Sequence, residues 1–140
     1  NLYFFYIYDI SYIMPPRKIP KQYLPKSLTP EDRAKQKKSI EQGKPRPKVE
    51  SFKSKRSKHV VAFEKKYGKK ITNDSFISKN IITKKGIDLI LDKGRGAYFS
   101  SGSRPNQTME SWSRARLASV IMGGKARKVD QAIWDKYKKI

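Results

Sequence analysis

From residue 57 onward the apolar residues recur at helical intervals and are bounded by residues that start and stop helices. Ser57 precedes Val60, Val61, Phe63 and Tyr67, and Gly68 follows, which predicts a helix of about ten residues. Thr72 or Asn73 opens a short helix over Phe76 and Ile77. Thr83 opens a third with Ile87, Leu89, Ile90 and Leu91, closed by Lys93 and then Gly94. Thr108 caps the best-marked helix, with Glu110 in its first turn and Gly123-Gly124 as its stop. From about Arg127, Val129, Ile133 and Tyr137 form one stripe with Trp134 beside it. Ile71, Ile81 and Ile82, and Ala97 to Ser100, also read as brief extended pieces. The expected core is Val60, Phe63, Phe76, Ile87, Ile90, Trp112, Ala115, Leu117, Ile121, Ile133 and Trp134. The expected fold is therefore mainly α, a small helical domain over residues 57–140 with at most one or two short strands.

Upstream the pattern changes. Pro15, Pro16, Pro20, Pro25, Pro30, Pro45 and Pro47 interrupt residues 14–56 and leave room for a single helix. Thr29 as N-cap, Pro30 at the first position, Glu31 and Asp32 in the first turn and Gly43 beyond the end mark it. Between Arg33 and Gln42 only Ala34 and Ile40 are apolar, so this helix has almost no face to bury. Residues 14–56 are accordingly expected as a basic, proline-rich, extended and largely disordered arm with one short helix. Residues 1–13 form a third region, aromatic and free of Lys and Arg. Their residue types fit codons rich in adenine and thymine, and the expectation is translated upstream sequence with Met14 as the native start. The prefix lacks the basic flank of a signal peptide and is too short for a membrane span.

Charge narrows the partners. Against 12 Asp and Glu the chain carries 33 Lys and Arg, a formal net charge of +21. Such a charge opposes compaction by self-repulsion and draws polyanions, nucleic acid first, then an anionic membrane surface or an acidic protein. Residues 44–58 concentrate it, with seven Lys or Arg against one Glu. Lys44, Arg46, Lys48, Lys53, Lys55, Arg56 and Lys58 are the candidate phosphate contacts there, and Lys53 to Lys58 also matches a nuclear-import patch. A merely solvated charge run is the competing reading. Without cysteine there are no disulfides and no thiolate metal sites.

Residues 94–108 form the most unusual stretch, Gly-Arg-Gly-Ala-Tyr-Phe-Ser-Ser-Gly-Ser-Arg-Pro-Asn-Gln-Thr. Read as a loop, its glycines permit close backbone approach, and Ser101, Ser103, Arg95 and Arg104 face an anion together with a helix start. Arg114 and Arg116 on the next helix extend that set, unless they are only a solvated face around a buried Trp112. A well-made helix connection explains the same loop without a ligand. Arg104, held extended by Pro105, either shares an anion with the Thr108 cap or ties the loop inward to Asp88 or Asp130. Catalytic equipment is scarce. His59, the one histidine, has no carboxylate nearby, and the serines match neither a nucleophile elbow nor any phosphate-loop spacing. Asp88 and Asp92 share a helix face, where flanking lysines make ion pairs the simpler reading than a metal. No enzymatic activity, cofactor, metal or small-molecule substrate is expected.

Ile81-Ile82-Thr83-Lys84-Lys85-Gly86, Ala97 to Thr108, Ser111-Trp112 and Ala115 to Val120 with Gly123-Gly124 resemble an uncharacterised domain family. That family is encoded by nucleocytoplasmic large DNA viruses of algae and amoebae. Leu24 to Thr29, Arg46-Pro47-Lys48 and Phe52 to Ser57 are similar to it too, so the likeness spans residues 23 to 138. The resemblance implies viral origin, with the virion or a viral factory in nucleus or cytoplasm as location, and implies no activity. The expected function is a basic protein that binds the phosphate backbone of nucleic acid, double-stranded DNA in the first instance, with little sequence specificity. The alternative is a small structural protein of the virion, a minor capsid, cement or internal component. Its arm would bind acidic faces of shell proteins through Tyr23, Leu24, Leu28, Val49 and Phe52.

Overall fold

The computed structural model of the chain describes residues 18–140. What was expected of residues 1–13, and of Met14 as the start, lies outside the described residues. The described residues fold into helices α1 (Pro30–Glu41), α2 (Lys58–Tyr67), α3 (Asp74–Asn80), α4 (Lys84–Ser100), α5 (Met109–Ile121), α6 (Lys125–Val129) and α7 (Gln131–Tyr137), after a 3₁₀ turn at Lys21–Tyr23. The starts follow cap chemistry. Thr29, Ser57, Asn73 and Thr83 accept backbone N–H bonds from the first turns of α1 to α4. Thr108 and Ser111 form a reciprocal capping box on α5. Gly68, with φ +64°, ends α2. No described helix is long and apolar enough to cross a membrane.

The α4–α5 pair is the most extensively packed, with α2, α3, α6 and α7 arranged around it. Phe63, Ile77, Ile81, Ile82, Ile87, Ile90, Leu117 and Val120 are almost wholly buried between these elements, and Trp134 closes the cluster. Ile81 and Ile82 are buried just before α4, where Ile82 makes an isolated antiparallel bridge to Lys138, and no strand forms among the described residues. Two expectations about the central helices are corrected. Lys93-Gly94 does not end α4, which runs on through Ala97 to Ser100. Gly94 is instead the point where α4 meets α5, because a Cβ there would lie 2.7 Å from Ser113 Cα. Trp112 is outside the core, half-buried at the surface.

Residues 18–56 lie against this body. Their backbone is irregular over 44–49 and 53–57, as proline spacing requires, yet Val49 is 1% exposed and Gln36 is fully buried. Leu28 and Ile40 are buried as well. The expectation of a disordered arm is therefore corrected for the described part. Counting apolar residues on α1 misses the contact because its buried positions are Gln36, Ser39 and Ile40, and the Gln36 Nε2 and the Ser39 hydroxyl donate to backbone carbonyls.

Candidate nucleic-acid interface

Tyr98, on the last turn of α4, organises the site. Its ring is buried, its hydroxyl accepts from Arg46 N at 2.7 Å, and it donates to Gln107 O at 2.9 Å. One phenol thus ties the basic segment to the loop between α4 and α5. Arg46 lies with its guanidinium 4.6 Å from the Tyr98 ring centre and donates through Nη2 to Ser39 O and Lys44 O. Asn106 continues the join. Its backbone is left-handed, φ +63°, which Asn tolerates better than most residues. Its Oδ1 accepts from Val49 N at 2.7 Å, and its Nδ2 donates to Val49 O at 3.0 Å and Phe52 O at 3.1 Å. Gly102, with φ +100°, lets the loop turn where a Cβ would meet Ile40. Residues 101–108 therefore act as a clasp on residues 44–52. Beside the clasp lies an open cleft of about 320 Å³ lined by Arg46, Lys48, Ser54, Asn106, Gln107 and Thr108.

The candidate residues separate into two groups. Lys44 and Lys48 are exposed on the clasped segment, and Lys53, Lys55, Arg56 and Lys58 from there into the start of α2, with Arg56 held 2.9 Å from Glu64. Glu64 also accepts from Ile71 N, and these bonds hold its carboxyl below the usual range, the Arg56 bond contributing most. Among the described residues Arg104 makes no ion pair; it and Ser101 are exposed, while Ser103 is buried with its hydroxyl donating to Arg104 O.

The remaining arginines have partners within the chain, Arg46, Arg114 and Arg116 in part-buried contacts and Arg95 in exposed ion pairs. Arg46 is buried, and burial pushes its guanidinium below the ordinary value. Arg95 pairs with Asp92 at 2.9 Å and Glu110 at 3.4 Å. Arg114 bonds Asp74 at 2.6 Å and Ile71 O, and Arg116 bonds both oxygens of buried Asp130 at 2.8 Å. Arg46, Arg114 and Arg116 thus face carbonyl or carboxylate partners brought to them by the fold, and Arg95 bridges two exposed carboxylates. Asp130 is held by Arg116, and Asp88 by Lys84 at 2.8 Å, so neither tethers Arg104. Among the described residues no three His, Asp or Glu side chains stand together as a metal site.

Sequence reasoning assigned Tyr23 to a partner anchor and Trp112 to the core, and the structure brings the two rings together. Their centroids are 5.7 Å apart and their planes 82° apart, edge to face. Tyr23 sits in the 3₁₀ turn, and buried Gln36 donates to both Tyr23 O at 3.1 Å and Ser103 O at 3.0 Å. Burial raises the Tyr23 phenol, against the pull of Arg104, Arg116 and Arg46. No periodicity signals this pairing across the chain.

Residues 25–137 match a family model described as a Family of unknown function (DUF5824). No curated protein and no solved structure matches the chain.

Proposed function

The chain belongs to this family of unknown function, and we propose that it binds nucleic acid through the phosphate backbone with little sequence specificity. One observation carries the reading. Glu64, Asp74, Asp88, Asp92, Glu110 and Asp130 are already held by Arg56, Lys84, Lys93, Arg95, Arg114 and Arg116. What remains exposed is an excess of lysine, including a run with Lys44 and Lys48 on the clasped segment and Lys53, Lys55 and Lys58 directly after it. Folding the segment onto the body turns a charge run into a positioned row of cations, which contacts phosphates at a lower entropic cost than a free tail. Lysine heads are compact point charges and read no base edges, hence the low specificity.

The resemblance of the Ser-Gly-Ser-Arg-Pro-Asn-Gln-Thr run to proteins of large DNA viruses supports a viral genome or transcript as the partner, in a virion or viral factory. The structural-protein reading has less support, because Leu28 and Val49, two of its proposed anchors, are buried in the chain itself. The test is an electrophoretic mobility shift at several salt concentrations. The log–log slope should fall by several units when Lys44, Lys48, Lys53 and Lys55 are changed to Gln, each lost phosphate contact removing about 0.9 on a duplex. A slope unaffected by those changes, or no binding at low salt, would overturn the proposal.

A further inference from the structure

The Tyr23–Trp112 pair stands at the edge of the interface and is unexplained by phosphate binding. Trp112 begins the second turn of α5 and contributes nothing to the buried cluster, although tryptophan is the largest apolar side chain available to fill it. The residue is partly exposed, and its ring packs edge to face with Tyr23. Tyr23 is in turn fixed by Gln36, whose amide bonds the carbonyls of Tyr23 and Ser103 together. The residue after Ser103 is Arg104, exposed and in none of the ion pairs among the described residues. A buried amide therefore joins the backbone that carries the aromatic pair to the backbone next to Arg104, whose charge acts on the Tyr23 phenol.

From this juxtaposition we infer that Trp112, braced by Tyr23, is a stacking platform for an unpaired base, with Arg104 taking the adjacent phosphate, so that single-stranded nucleic acid is the preferred partner. The inference rests on the phosphate-binding reading above and narrows its substrate class. In a duplex the faces of the bases are covered by their neighbours, and only an unpaired nucleotide offers one to an indole ring. Stacking tolerates any base, which agrees with an interface whose cations are mostly lysines. Charge complementarity agrees, since the chain carries a net charge of +21 and among the described residues no carboxylate pairs with Arg104.

The test uses the intrinsic fluorescence of the whole protein. The chain has two tryptophans, and Trp134 is buried at 4% exposure beneath Arg127, so a change on binding reports Trp112. Oligothymidylate should quench the emission, and a duplex of equal length should not. W112F, which keeps a ring, should retain most single-strand affinity. W112L should lose about tenfold, and Arg104→Gln should weaken single-strand binding while leaving the melting temperature unchanged. Melting curves of each variant separate loss of binding from loss of fold. Equal, salt-dependent binding of single strand and duplex without quenching would overturn the platform and leave the phosphate reading standing. No binding of either nucleic acid would overturn both.

Discussion

Arg116 and Asp130 show how one pair of residues can be read two ways. Seen along the chain, Arg116 is a cation on a basic protein, and in the fold it is the counter-ion of a carboxylate whose side chain is 0% exposed. The two oxygens of Asp130 accept from Nε and Nη2, the fork geometry in which arginine outperforms lysine. Lys93 stands 3.7 Å away and adds a weaker, half-solvated charge. Substituting Arg116 by Met should leave the buried carboxylate without its main partner and cost about 3 kcal/mol, read as a loss of denaturation midpoint. Nucleic-acid affinity of the folded fraction should stay within twofold. A stable Arg116→Met protein with weakened binding would return this arginine to the interface. Sequence could not decide the matter, because Asp130 is 14 positions from Arg116, and Asp74 is 40 from Arg114. Charge is legible residue by residue, and the pairing of charges is a property of the fold.

At the scale of elements, helix identity was legible because caps and stops are local chemistry. Thr29, Ser57, Thr83 and Thr108 each accept the bond their position predicts. Two failures have one cause. Gly94 resembles a helix end and Trp112 resembles a core residue only when neighbouring elements are ignored. In the fold, Gly94 is needed for contact between α4 and α5, and Trp112 meets a ring from residue 23. The third failure, the missed docking of residues 18–56, arises because polar groups do much of the holding. Asn106 supplies three of those bonds from a loop, where no hydrophobic pattern announces them. Asn106→Ala should therefore cost about 2 to 3 kcal/mol, roughly one per bond to a partly buried backbone group. Limited trypsin digestion should then cut first at Lys48, Lys53 or Lys55, with α2 to α7 surviving as a fragment. If cleavage instead begins within α4 or α5, the loop is holding the helical pair together and not the basic segment.

For the whole molecule, the excess of positive charge sets the response to acid. At neutral pH a charge of +21 already repels itself, and each carboxylate that gains a proton enlarges the imbalance. The shifted groups act in the same direction. Burial, with Lys58 beside it, pushes His59 below its ordinary 6.5, so the folded state takes up its proton less readily than the unfolded chain. That contribution to stability is complete above about 6.5 and is lost as pH falls toward the folded value. Asp32, held below 3.8 by bonds from Ser51, and Glu64, held below 4.5 by Arg56, contribute fully above those values, and the contribution is lost as pH falls from them through the lowered folded-state values. The melting temperature should therefore decline in two stages, gently below about 6.5 and more steeply below about 4.5. His59→Gln should remove the first stage and leave the second. Added salt screens the self-repulsion, so raising sodium chloride from about 50 mM to about 300 mM should increase the melting temperature, most at acidic pH where the net charge is largest. The same salt weakens nucleic-acid binding by returning counterions to the phosphates. Opposite signs for stability and affinity along one salt axis separate self-repulsion from ligand attraction, and a melting temperature that falls with salt in the absence of nucleic acid would show that the internal ion pairs outweigh the repulsion.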